Sequence, residues 1–210
     1  MSAVAATLLV LTLVVAVGDW LAVARQDFHL NLVCRPLVLL LLIGVTIELQ
    51  PSSSEAWAWF LIALVCSLLG DLTLMFQGAL TPTSLGFFVA AHLAYLGGLV
   101  FLGLDGPRLV VGVLLSAVAL LALGRTVLRG VQTRQPGLVE PVRAYIAVVS
   151  AMAVAAFAVG RPLGVVGAGL FYAADAMGGW NRFVHAYPVL PLATIVAYHL
   201  GQIALVLSLV

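Results

Sequence analysis

Apolar stretches of near-spanning length recur eight times along this chain, separated by short polar connections, and this recurrence leaves it few ways to fold. Hydrocarbon offers no water to the backbone, so each stretch must satisfy its own N–H and C=O groups as a helix. The stretches lie near residues 3–23, 35–49, 56–76, 83–102, 109–124, 140–159, 162–179 and 189–209. Eight spans in 210 residues leave no room for a soluble domain. The expected fold is therefore all-α: residues 1–210 form a single transmembrane domain, a polytopic bundle of eight helices. With 64% hydrophobic and 8% charged residues, the composition belongs to that class.

The formal net charge of +1 argues against a nucleic-acid partner. All nine basic residues are arginine, which is read as composition bias. Cys34 and Cys66 are too few for a disulfide framework and are read as buried free thiols. Ala22-Val23-Ala24 mimics a signal-cleavage site, but no basic residue precedes the apolar run, so the first segment is read as a retained helix. Connections after helices 1, 3, 5 and 7 carry Arg25, Arg35, Arg125, Arg129, Arg134, Arg143 and Arg182, while the opposite ones carry Arg108 and Arg161. The positive-inside rule then places the arginine-rich connections in the cytoplasm and both termini outside. The connection from Gly124 to Val139 is read as the longest polar loop and divides the chain near its middle.

Against this background, Asp71 and Asp175 stand out as carboxylates deep inside apolar helices. A charge at bilayer depth costs roughly 2.5–3.5 kcal/mol even on lenient scales, and such residues usually face the bundle interior and serve a function. Threading the helices back and forth places Asp19 at the end of helix 1, Arg35 at the start of helix 2 and Asp71 in the last third of helix 3. Arg143 starts helix 6, and Asp175 lies in the last third of helix 7, followed by Asn181 and Arg182. All fall towards one membrane face. His92 and His199 lie about ten residues into helices 4 and 8, or about 15 Å along the axis. The polar groups describe a cleft that opens at one face and ends near the bilayer centre, with the four side chains Asp71, Asp175, His92 and His199 converging on it. Gly167, Phe171, Ala174, Asp175, Gly178 and Arg182 share one face of helix 7. Ser67, Gly70, Asp71 and Leu74 share one of helix 3, His92 shares a face with Tyr95, and Tyr198 and His199 share one with Gln202. Asp19 is read as a solvated helix-end residue. For His92 and His199 a structural interhelical hydrogen bond stays open beside a site role, as do headgroup contacts for Arg35 and Arg182.

The two halves look faintly alike: Gly70-Asp71 and His92 on helices 3 and 4 against Ala174-Asp175 and His199 on helices 7 and 8. Four helices per half would make any duplication a parallel one.

In their order on eight helices, several motifs resemble the YhhN-type lysoplasmalogenase family. They are Gly70-Asp71-Leu72-Thr73-Leu74-Met75, Leu85-Gly86-Phe87-Phe88 with His92 and Tyr95, Pro141-Val142 with Tyr145, Gly167-Ala168 with Phe171, Asp175 and Arg182-Phe183, and Tyr198 with Gly201-Gln202. The chain departs from the family pattern in two places: Arg35-Pro36 stands for Lys-Pro and Gly201 for alanine. Arginine keeps the charge but not a titratable ammonium, which suits phosphate binding rather than proton transfer. The resemblance implies hydrolysis of the vinyl ether bond of lysoplasmalogens to a fatty aldehyde and a glycerophospho-alcohol, with a lysophospholipid substrate, the bilayer as medium, and no metal or cofactor. An enol ether must be protonated on carbon, and water then attacks the resulting oxocarbenium-like cation. A neutral carboxylic acid and an ionised carboxylate about 5–9 Å apart can divide that work, as in glycosidases. Asp71 and Asp175 are the candidate pair. His92, Tyr95, Tyr145, Tyr198, His199 and Gln202 are candidate orienting residues. Arg35, Arg182 and Asn181 are candidates for the headgroup.

Two other classes remain open on residues alone. One is a metal-dependent lipid hydrolase using His92, His199 and both acids, which no His-x-x-x-His spacing supports. The other is a small-solute transporter with an Asp/His proton relay.

Overall fold

A computed structural model describes residues 2–210. All regular structure among them is helical: α1 Ala3–Arg25, α2 Phe28–Glu48, α3 Ser54–Gln77, α4 Pro82–Phe101, α5 Gly106–Arg134, α6 Val139–Val159, α7 Pro162–Phe183 and α8 Leu190–Leu207. Seven of these segments are long and apolar enough to cross a membrane. The exception is α7, where Asp175, Asn181, Arg182 and a run of glycines lower the hydropathy. The helix starts carry their own caps. Ser2, Asp27, Ser53, Thr81 and Asp105 each accept a hydrogen bond from the backbone N–H three residues on, satisfying a donor the helix leaves orphaned.

Three boundaries differ from the sequence expectation. Helix α2 begins at Phe28 rather than 35, because Asp27 caps it and Pro36 sits inside. Pro36 leaves one carbonyl of the preceding turn without its N–H partner, which a packed membrane helix tolerates. Arg35 thus lies two turns into α2 instead of starting it. The expected polar loop from Gly124 is mostly helix, since α5 runs on to Arg134 through a π-helical turn at Leu120–Gly124. Helix α7 runs to Phe183, so Asn181 and Arg182 belong to its last turn.

Between lipid-bathed helices, association rests on close packing rather than on water exclusion, and small residues permit it. The tightest pair is α7 with α8. A Cβ on Gly167 would lie 2.6 Å from the Leu205 amide nitrogen, and one on Gly201 would lie 2.9 Å from that of Phe171. The central core joins α3, α4, α6, α7 and α8 around Phe60, Tyr95, Met152, Phe171 and Leu205. Helix α5 stands at the edge. Its first half leans on α6, where Gly112 faces the Val154 carbonyl. Its far end is tied to the α7 terminus by Arg134, which donates to the carbonyls of Arg182 at 3.1 Å and Val184 at 2.7 Å. Held at both ends, α5 stands off from the middle of α7, and a cavity remains between them.

Candidate active site

The cavity has a volume of about 360 Å³ and is lined by residues of all eight helices. Asp71 and Asp175 both line it, as do Arg35, Tyr145, Asn181, Arg182 and Tyr198. The remaining wall is largely apolar, with Leu74, Phe88, Leu123, Val149 and Phe171 among it. Leu123, Gly124 and Val127 close the side nearest α5, next to the segment carrying Arg125, Arg129 and Arg134.

Each acid has its own partner on a helix from the other half of the chain. Tyr198 on α8 donates its hydroxyl to Asp71 Oδ2 at 3.0 Å. Asp175 Oδ2 on α7 lies 3.4 Å from His92 Nε2 on α4. The other ring nitrogen of His92 lies 2.7 Å from the Phe88 carbonyl oxygen, which can only accept. Nδ1 therefore carries a proton, and Nε2 is the nitrogen free to exchange one with Asp175. His92 is fully buried, whereas the Asp175 side chain keeps 18% exposure to the cavity. Phe171 holds this arrangement in place. Its ring meets His92 edge-on at a centroid distance of 4.6 Å and Tyr198 at 5.2 Å, and Tyr145 packs edge-on to His92 at 5.2 Å.

Behind the cavity, Tyr95 donates its hydroxyl to Gln202 Oε1, and the Gln202 amide donates to Ser67 Oγ at 3.1 Å. Tyr95 and Gln202 are both fully buried. They brace α4, α8 and α3 against one another rather than reaching the cavity.

His199 is not brought to the acids. Trp20 Nε1–H donates to its Nδ1 at 3.2 Å, and indole is a donor only, so His199 must offer a lone pair there. The neutral ring then carries its proton on Nε2, which faces Asp19 Oδ2 at 3.9 Å. This tautomer is the opposite of the one imposed on His92. Asp19 itself corrects the sequence reading: it is 0% exposed, not solvated. Asn31 donates to its Oδ1 at 2.8 Å, and Arg35 Nε lies 3.8 Å from its Oδ2. Burying α1 against α2 and α8 excludes the water that a free helix end would have found. Arg35 connects the two groups, facing Asp19 on one side and the cavity beside Asp71 on the other. Arg143 is exposed and pairs with Glu140 at 2.7 Å, away from the cavity. Among the described residues, no three His, Cys, Asp or Glu side chains come together as a metal-holding set.

The residues that sequence reasoning missed are Asn31, Trp20 and the cavity-lining Tyr172, while Asp19 was placed at this face but read as solvated. Asp27 immediately before Phe28 is an N-cap signal that would have started α2 earlier, placing Asn31 and Arg35 on one face four residues apart. No local signal marks Trp20, whose partner lies 179 residues away.

A family model described as the YhhN family matches residues 30–209. The chain is 30% identical over 190 residues to a mouse protein, lysoplasmalogenase TMEM86B, covering 90% of this chain and 79% of that one. It is 32% identical over 146 residues to the human protein of that name, covering 70% of this chain and 61% of that one. The rat protein of that name is 30% identical over 175 residues, or 83% and 70% of the two chains. No solved structure matches. The matched span contains both acids, His92, Tyr145, Tyr198 and every other cavity residue except Val23 on α1. On that evidence the chain belongs to the YhhN family.

Proposed function

We propose that this membrane protein hydrolyses the vinyl ether bond of lysoplasmalogens with Asp175 as the acid and Asp71 as the base. The ether-hydrolase activity follows from family membership and from relatives named as lysoplasmalogenases. The observation that supports the mechanism is that two carboxylates with different partners line one cavity of largely apolar wall.

The roles follow from those partners. In this reading the acid proton sits on Asp175 and faces the lone pair of His92 Nε2, because His92 Nδ1 is committed to the Phe88 carbonyl. That proton is added to the vinyl carbon remote from the ether oxygen, and the oxygen lone pair shifts to form the oxocarbenium cation. Asp71 accepts a hydrogen bond from Tyr198, which favours its carboxylate form. Its negative charge stabilises the cation, and it removes a proton from the water that attacks the cationic carbon. The resulting hemiacetal collapses to the aldehyde and the glycerophospho-alcohol, and one water is consumed. Tyr145 supports the Asp175–His92 pair by packing on the imidazole.

Arg35, Asn181 and Arg182 bind the headgroup. The mouth they form lies at the end of the bundle that carries Arg125, Arg129 and Arg134, which the arginine bias assigns to the cytoplasmic side of the cell membrane. The deciding assay uses purified protein with alkenyl- and acyl-lysophospholipids of matched chain. Aldehyde release from the alkenyl lipid alone is expected. Release of free fatty acid from the acyl lipid at a comparable rate would replace this reading with an esterase.

A further inference from the structure

A second, shallower apolar groove of about 200 Å³ is lined by Gly112, Leu115, Ser116 and Ala119 of α5, Ala153 and Phe157 of α6, and Val165, Gly169 and Tyr172 of α7. Three helices independently place it in series with the cavity. On α6 the cavity residues Tyr145, Ile146 and Val149 are followed one turn after Val149 by the groove residues Ala153 and Phe157. On α5 Ala119 is followed one turn later by Leu123 and Gly124, across the π-helical turn. On α7 there is no interval, since Tyr172 lines both.

We infer that this groove is the binding site for the hydrocarbon tail of the substrate, and that it sets the chain length the protein accepts. The inference rests on the vinyl ether reading above. In that substrate the scissile bond is at the first carbon of the chain, so the headgroup must lie on one side of the acids and the tail on the other. Helix α7 presents that order: Arg182 lies beyond Asp175 at the mouth, while Tyr172, Gly169 and Val165 lie before it. From Asp175 to Val165 is ten residues, or about 15 Å of helix. From Tyr145 to Phe157 on α6 is twelve residues, or about 18 Å. One leaflet of a bilayer whose hydrocarbon core is about 30 Å thick holds chains of about 15 Å, the same reach. The groove has mostly small residues on its walls, with Phe157 the lining residue of α6 farthest along the chain from Tyr145. Its lipid side is partly open, so a tail can enter sideways from the leaflet instead of threading through the mouth.

Gly169 provides the test, because a Cβ there meets nothing within 4 Å. In Gly169→Phe, the ratio of kcat/KM for a sixteen-carbon alkenyl lysophospholipid to that for an eight-carbon one should fall by about tenfold or more. A ratio unchanged within twofold would overturn the proposal. A second measurement does not depend on turnover or on the variant folding. A lysophospholipid with a diazirine at the chain terminus, irradiated on the wild-type protein, should label the stretches 112–119 and 153–157. Labelling spread over the outward faces of α1 and α5, or suppressed equally by any diacyl lipid, would mean that ordinary bilayer lipid fills the groove, and the proposal falls. If labelling is confined to those stretches but no aldehyde is released from any alkenyl lipid, the tail site stands and the vinyl ether reading fails.

Discussion

At the residue scale, the chemistry depends on which atom carries each proton, and the two histidines show how neighbours decide it. A carbonyl beside His92 Nδ1 and an indole N–H beside His199 Nδ1 force opposite tautomers on chemically identical rings. Only His92 then faces a cavity carboxylate through a nitrogen free to exchange a proton. Asp71→Asn and Asp175→Asn keep side-chain volume but remove the acid, and each should lower the aldehyde-release rate by at least about 100-fold, within the range general acid–base groups supply. Near-wild-type turnover in either variant, measured on protein that remains monodisperse in detergent, would remove that residue from the mechanism. In the proposed mechanism Asp19 acts through Arg35 and not on the substrate. Asp19→Asn should raise KM for lysophospholipid about tenfold with kcat little changed, because Arg35 loses its anchor beside the cavity. Asp19→Ala, which also removes the partner of Asn31, should lower unfolding stability by about 1–3 kcal/mol, because a buried amide donor is left unpaired. Equal KM in wild type and Asp19→Asn would show that Arg35 is held by something else.

At the element scale, α7 and α8 are the pair on which the site's precision depends, since they carry Asp175 and Phe171 on one side and Tyr198 on the other. Their approach is set by glycine on both helices. Adding a methyl at Gly201 would place it 2.9 Å from the Phe171 amide nitrogen and 3.0 Å from the Gly167 carbonyl oxygen. Backbone cannot swing aside as a side chain can, so Gly201→Ala should separate the helices and cost about 1–3 kcal/mol. A drop in midpoint temperature of the purified protein, with a parallel loss of turnover, is the expected result. An unchanged midpoint would mean that the helices part without penalty. Helix periodicity and apolar length were enough to find all eight helices, seven of them long and apolar enough to span, because a 3.6-residue repeat and a hydrocarbon thickness are local properties. They failed at Arg35-Pro36 and Gly124, where a proline was read as a beginning and a glycine as an end. In lipid both are tolerated mid-helix, since packed neighbours take over the hydrogen bonds or space that water would otherwise claim.

At the scale of the whole molecule, the polar groups form a gradient along the bundle: arginines at one end, acids below them, and an apolar groove beyond. Arg35→Gln should raise KM for lysophospholipids strongly, and glycerophosphate should compete with substrate in the wild type but not in the variant. A defect confined to kcat would move Arg35 from the headgroup to the reaction itself. The direction of the gradient across the membrane is testable with Thr133→Cys, near the exposed end of α5. A membrane-impermeant maleimide should label it in inverted vesicles and not in intact cells, and the reverse result would flip the arginine-based orientation.

The sequence alone determined that this chain is a membrane bundle and that Asp71 and Asp175 are its anomalous residues. Hydropathy and the cost of buried charge are written residue by residue and need no partner to be read. Motif order also pointed to the family. Only the tertiary structure decided who meets whom: Asp71 with Tyr198 127 residues away, His199 with Trp20 instead of with the acids, and Asp19 sealed behind Arg35. Those pairings depend on how far each helix rotates and how closely its neighbours approach. Both are fixed by glycine contacts and packing summed over the whole bundle, which no single segment encodes.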